Sequence, residues 1–169
     1  TYASSGLFLL KLTQHLFSGF VQDEITLARD RLSVTAGSKV EHNDYTGLEY
    51  QPSARVAWVP WEAHTVWAAV SRAVRTPSRI DRDLYIPESP PYWLTGGPQF
   101  DSEVLRAVEI GYRAHPLRDL SVSVSAYDNH YDKLRSLEGG PPYFLDNGLT
   151  GRTNGIEPSV AYQVCGWWR

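Results

Sequence analysis

The sequence has no methionine, a single cysteine and no long apolar run, and each gap narrows what the chain can be. Without a methionine the 169 residues lack an initiator, so the chain is expected to be a processed or partial piece of something longer. One thiol, Cys165, excludes an intrachain disulfide and every multi-cysteine metal site. No stretch approaches the roughly 18 consecutive apolar residues of a transmembrane helix, and the N-terminus has no charged-then-apolar signal pattern. Strands of a membrane barrel alternate in polarity and escape that test, so a membrane stays open. A basic run is also missing. Sixteen Lys and Arg against nineteen Asp and Glu leave a net charge of −3, mixed along the chain, which argues against a nucleic-acid partner.

What the sequence does have is aromatic side chains and turn residues. Six Trp, ten Tyr and five Phe make 12%, with 13 Gly and 11 Pro as punctuation, a balance that leans towards β structure. Period-two alternation then sets the strands. Leu32, Val34, Ala36 and Val40 oppose Ser33, Thr35, Lys39 and Glu41; Leu120, Val122, Val124 and Ala126 oppose Ser121, Ser123, Ser125 and Tyr127. The same reading holds for Val108, Ile110, Tyr112 and Ala114 against Ala107, Glu109, Gly111 and Arg113, and for Ala54, Val56 and Trp58 against Arg55, Ala57 and Val59. From Thr65 to Thr76 the parity is disturbed, because Arg72 falls with Val66, Ala68, Val70 and Val74. Either a bulge shifts the register or Arg72 sits high enough to reach lipid headgroups.

Strands are expected at residues 17–27, 32–42, 50–60, 65–76, 104–115, 120–135 and 151–163. The connections alternate between short (28–31, 61–64, 116–119) and long (43–49, 77–103, 137–150), which describes an up-and-down sheet with its loops at one end. Strands of about ten residues exceed the usual ~5–6 and match the span of a tilted membrane strand. Trp58, Trp61, Trp67, Trp167 and Trp168 fall at the short-turn ends and Tyr45, Tyr50, Tyr127 and Tyr131 at the long-loop ends, as two aromatic belts would. A soluble β-sandwich alternates as well, but predicts neither the loop asymmetry nor the belts.

Several phrases together carry a resemblance. They are Gln22-Asp-Glu24 in its strand, Gly37 to Asp44 ending in Glu41-His-Asn-Asp44, Pro52-Ser-Ala-Arg-Val-Ala-Trp58, Ser71-Arg-Ala-Val-Arg-Thr-Pro77, and Phe100 to Glu103 leading into Val108-Glu-Ile-Gly-Tyr-Arg113. In this order and spacing they resemble the barrel of TonB-dependent outer-membrane receptors, over residues 17–163. The resemblance implies about 7–8 strands of a closed antiparallel barrel of about 22. It also implies a plug and Ton box outside this chain, and TonB-driven uptake of a scarce nutrient, such as a ferric siderophore or another iron complex, across a Gram-negative outer membrane. Residues 17–169 are then part of the barrel, isolated as an open curved sheet, and residues 1–16 are unassigned. The implied partners are outer-membrane lipid, TonB through the absent Ton box and plug, and a small iron chelate. A passive porin or adhesin-type barrel is the alternative. Pro158 departs from the pattern, and the strand either ends early there or bulges. Val164-Cys-Gly166 departs from the family's usual turn.

Nothing in the sequence suggests catalysis, a cofactor or a metal: the five histidines show neither i, i+4 pairing nor carboxylates at ligand spacing. Lys39, Glu41, Arg55, Arg75, Glu109, Arg113 and Glu157 are expected to face the barrel interior and the plug, with Arg75 and Glu109 at positions the resemblance singles out. The loops carry the ligand expectation. Arg79, Arg82, Tyr85, Tyr92 and Trp93, with Tyr143 and Phe144, would suit a planar or anionic chelate through stacking and cation–π contact, or else pack against one another.

Overall fold

The computed structural model describes residues 11–165 and Trp167; Gly166, Trp168 and most of the unassigned N-terminal segment lie outside them. Seven long strands form the wall: β1 (Leu16–Ala28), β2 (Leu32–Asn43), β3 (Gly47–Trp58), β4 (His64–Arg75), β7 (Glu103–Leu117), β8 (Leu120–Gly139) and β9 (Tyr143–Tyr162). Between β4 and β7 the chain forms a short helix, α1 (Arg79–Asp83), and two two-residue strands, β5 (Tyr85–Ile86) and β6 (Leu94–Thr95). All nine strands belong to one sheet, in the order β1-β2-β3-β4-β7-β8-β9-β6-β5. Every pairing is antiparallel except β6 with β9, and the sheet curls into a half-barrel.

The register shows why period-two segments make this wall. One row runs across all seven long strands through direct partners: Ile25, Val34, Val56, Ala68, Ile110, Ala126 and Ile156. The next row, one residue along, is Glu24, Thr35, Arg55, Ala69, Glu109, Tyr127 and Gly155 on the opposite face. Each strand thus contributes an apolar residue outwards and a polar or small one inwards, and a one-residue slip would exchange the faces. The apolar face has no cover within the chain, since Ile110 is 56% and Ile156 71% exposed. Among the described residues there is no second sheet to bury it, so the sandwich alternative is excluded.

The structure corrects four expectations. The 77–103 connection contains α1, β5 and β6, whose elements are too short to show a period. The supposed 137–150 loop is mostly strand, because β8 and β9 each run 20 residues and turn only at 140–142. Pro158 neither ends its strand nor bulges it, lying in continuous register opposite Val124. The aromatic belt at the short-turn end is real for Trp58 and Trp61 but not for Trp67, which turns to the concave face, as do Tyr127 and Tyr131 by parity. His64 and Tyr112, joined at 2.6 Å, complete the short-turn rim instead, with Trp61 edge-on to His64. No bulge interrupts β4 and β7 at Arg72, which stays in register opposite Arg106.

Candidate functional site

The long-loop end of the sheet is closed by the segment between β4 and β7, which folds over the concave face. Its anchor is Asp81, fully buried. Ser78 caps α1, its backbone N–H and hydroxyl each donating to Asp81 Oδ2 at 2.8 Å, in a capping box. Arg75 from β4 donates to the same oxygen at 3.0 Å and Arg135 from β8 to Oδ1 at 3.3 Å. Arg75 also donates to Glu103 of β7 at 2.6 Å, and Glu103 accepts the backbone N–H of Arg135 at 2.8 Å. Asp81 therefore ties two wall strands, β4 and β8, to the loop, and Glu103 joins β7 to both through Arg75 and Arg135. Burial pushes the Asp81 carboxyl up, but the hydrogen bonds from Arg75 and Ser78 outweigh it and hold the group below the usual carboxylate range.

A second set of contacts seats the same loop against the β2–β3 turn. Arg82 donates to the carbonyls of Phe100, at 2.8 Å, and Tyr45, at 2.9 Å, and lies over the Tyr45 ring. Tyr45 in turn donates to Asp83 at 2.5 Å; burial first, then that carboxylate, push its phenol up to about 12. Arg79 pairs with Asp83 at 3.4 Å. Phe100 is fully buried beneath Arg75. At Gly97 the backbone passes so close to the Leu145 carbonyl that a Cβ would overlap it. Arg79 and Arg82 are thus engaged inside the loop.

The aromatic residues stand differently. β5, β6 and β9 form a small sheet, continued by the Trp93 N–H to the Ile86 carbonyl at 2.7 Å and the Tyr143 N–H to the Trp93 carbonyl at 2.8 Å. On it Tyr85 and Tyr92 pack with ring centroids 5.1 Å apart, and Trp93 meets Tyr143 edge-on at 5.8 Å. Trp93 is 56% exposed. Phe144 follows on the same strand, against Gly139 at the hairpin.

The seven charged residues expected to face inwards do share one face of the sheet by register. Lys39 pairs with Glu41 at 2.7 Å, and Arg55 lies 4.6 Å over the Trp67 ring. Trp67 lies flat because its cross-strand partner is Gly111, and Tyr127 lies flat on Gly155; a Cβ on Gly155 would meet the Tyr127 hydroxyl at 2.7 Å. Glu109 and Glu157 flank Tyr127 in a shallow hollow, while Arg113 lies lower, opposite Thr65 and Ser123. Sequence reasoning missed Asp81, Arg135 and Glu103 as a group. The Ser78-Arg-Ile-Asp81 spacing was a usable signal for the first, but the pairing with Arg135 spans 54 residues.

A single curled sheet with an uncovered apolar outer face, a polar inner face, and strands of 12 to 20 residues is the wall of a transmembrane β-barrel. The chain belongs to the TonB dependent receptor-like β-barrel family, which it matches over residues 5–169. Family membership places it in the Gram-negative outer membrane. Among solved structures, the siderophore receptor PirA from Pseudomonas aeruginosa is similar over 90% of this chain and 32% of its own, at 18% identity and a TM-score of 0.76. The ferric enterobactin receptor PfeA from Pseudomonas aeruginosa is similar over 90% and 25%, at 20% identity and a TM-score of 0.75. The FrpB iron transporter from Neisseria meningitidis follows over 90% and 24%, at 15% identity and a TM-score of 0.71. The chain spans about a quarter to a third of the length of these structures. No curated protein matches it.

Proposed function

We propose that this chain forms part of the barrel of a receptor that takes up a scarce nutrient, an iron chelate, across the outer membrane without transforming it. The observation that carries this is the aromatic cluster at the long-loop mouth, where half-buried Tyr85, Tyr92 and Tyr143 and exposed Trp93 stand on a sheet fixed to the wall. Flat aromatic faces held by a rigid support suit an iron chelate that presents flat catechol rings or apolar ligand edges at its surface, and Phe144 extends the same surface. Arg79 and Arg82 act in this reading by holding the loop that carries the surface, through Asp83 and the carbonyls of Phe100 and Tyr45. The siderophore and iron receptors of similar fold support the ligand class.

The concave charges face the barrel interior in this reading. Lys39, Glu41, Arg55, Arg113, Glu109 and Glu157 offer a plug polar contacts, while Arg75 holds the loop to the wall. The glycines under Trp67 and Tyr127 keep the wall flat and leave room for a plug. Residues 17–169 belong to the barrel domain in this reading, and energy coupling through TonB acts from a plug and Ton box outside it. The test is binding of a panel of ferric catecholates and hydroxamates to the membrane-extracted protein, read by quenching of tryptophan fluorescence. Trp93→Ala with Tyr143→Ala is expected to weaken the bound chelate at least tenfold while leaving detergent-resistant folding intact. Equal affinity in the double variant removes the aromatic cluster from the site.

A further inference from the structure

On the outer face, above the apolar rows, one row carries three arginines and a histidine. Arg72 of β4, Arg106 of β7, His130 of β8 and Arg152 of β9 are consecutive cross-strand partners on four adjacent strands. Arg72 and Arg106 stand directly opposite one another, an arrangement that is unfavourable for like charges. Their carboxylates lie to the sides. Arg72 donates to the Tyr50 carbonyl, pairs with Glu49 at 3.7 Å and stacks on the Tyr50 ring, all on the β3 side. Arg106 donates through one nitrogen to Asp132 of β8 at 2.6 Å and is two-thirds exposed. Further along the row, Asp128 accepts from Arg152 at 2.8 and 2.9 Å and meets His130 at 3.3 Å. The two guanidiniums thus turn to opposite sides of the seam between β4 and β7, and among the described residues no carboxylate bridges them.

Beneath that seam is an apolar groove. The pairing of β3 with β4 stops at Ser53 and Ser71, so the strands part just below Arg72. The opening, about 360 Å³, is lined by Pro52, Ala54, Val70 and Val108, with Arg72 and Arg106 at its upper end. Height supports a membrane position. Arg106 lies eight residues up β7 from Ala114, about 26 Å along a strand rising ~3.3 Å per residue. With a tilt of roughly 40° that is about 20 Å of height, and the arginine stems bring the charges near the outer edge of an apolar band ≈25 Å tall.

We propose that Arg72 and Arg106 form a specific site for a phosphorylated lipid of the outer leaflet, its phosphate between the two guanidiniums and an acyl chain in the groove below. Guanidinium forks match phosphate geometry, and a phosphate drawn between these cross-strand neighbours would bridge two arginines that otherwise rest on carboxylates to either side. The site rests on the apolar face being the lipid face.

The protein is extracted from outer membranes in mild detergent and placed in phosphatidylcholine nanodiscs doped with lipid A, and the lipid A retained per protein is read by native mass spectrometry. Wild type is expected to retain it, and Arg72→Gln with Arg106→Gln to bind it at least tenfold more weakly. Arg29→Gln with Arg118→Gln, an equal loss of two charges at the short-turn end, is expected to leave retention unchanged. Arg106→Gln alone, whose side chain is the more exposed, serves if the double variant does not fold. Dephosphorylated lipid A should not be retained, and inorganic phosphate should not displace the bound lipid. Equal retention by the variants, or of the dephosphorylated lipid, overturns the site, and displacement by inorganic phosphate shows an anion site and not a lipid site. Failure of wild type to enter nanodiscs at all would instead overturn the membrane reading.

Discussion

The apolar row from Ile25 to Ile156 crosses seven strands without a charge in it, whereas the loop between Ser78 and Asp101 is built round a buried carboxylate held by two arginines from the wall. The wall is a repeat: each strand pairs with the next, and any one residue contributes little that its neighbours do not. The loop is not a repeat. Its two-residue strands and five-residue helix could not persist alone, since short helices and isolated hairpins are marginal in water. Its order depends on a few contacts with no substitute, Asp81 first among them. Redundancy on one side and dependence on the other make the two regions separable by mutation.

The largest effect is expected from Asp81→Ala. Removing one partner from a buried ion-pair group leaves Arg75 and Arg135 facing the gap and α1 without its capping box, which costs about 3–5 kcal/mol. The loss should fall on the loop. In hydrogen–deuterium exchange of the membrane-extracted protein, residues 78–101 are expected to exchange freely while β7 and β8 below Glu109 stay protected. Equal loss of protection in both regions would show that the wall depends on the loop.

A pair of glycines sharpens the contrast at smaller cost. At Gly97 a Cβ meets the Leu145 backbone carbonyl, and at Gly111 it meets the Trp67 ring. Backbone held by a sheet cannot give way, but a side chain on an open face can swing. Overpacking typically costs about 1–3 kcal/mol, and Gly97→Ala is expected at the upper end, with release of the loop. Gly111→Ala is expected at the lower end, with Trp67 displaced from Arg55 and its fluorescence shifted but the sheet intact. A reversed order, read by thermal unfolding in detergent, would place the rigid contact in the wall.

The same division decides what could be read in advance. Period-two alternation is a local property of the sequence, so Leu120 to Tyr127 announced both its strand and its outward face, and the inward set from Lys39 to Glu157 followed by parity. Alternation says nothing of what a long connection does once it meets other elements. Arg82 was legible as a cation near aromatics, but its acceptors are carbonyls of Phe100 and Tyr45, 18 and 37 residues away. Trp67, Tyr127 and Tyr131 were assigned to belts from their distance to strand ends; their parity, and Gly111 and Gly155 opposite two of them, pointed inwards instead. Arg72 broke the parity, and the outer-face row explains why it could.

Acid should separate the two regions reversibly and by degrees, with the smallest effect at any one pH. Arg75 and Ser78 hold Asp81 below the ordinary carboxylate range against the upward push of burial, and Lys133 with the Ser102 N–H does the same for Asp101 against its own burial. A carboxylate whose folded pKa is depressed binds a proton less readily in place than when released. Its contribution is complete above the ordinary value of about 3.9 and is lost as pH falls through the lower folded value. The window therefore lies below about pH 4. Pepsin, which is active there, is expected to cut between residues 84 and 101 increasingly as pH drops from about 4 to about 2, and to leave β7 to β9 whole. Wall hydrogen bonds within strands involve no titrating group, so the sheet has no reason to follow. Neutralisation should restore the uncut protein to full resistance. Cleavage already complete at about pH 5 would mean that these carboxylates are not held down by their partners, and the buried anchor would lose its place as what ties the loop to the wall.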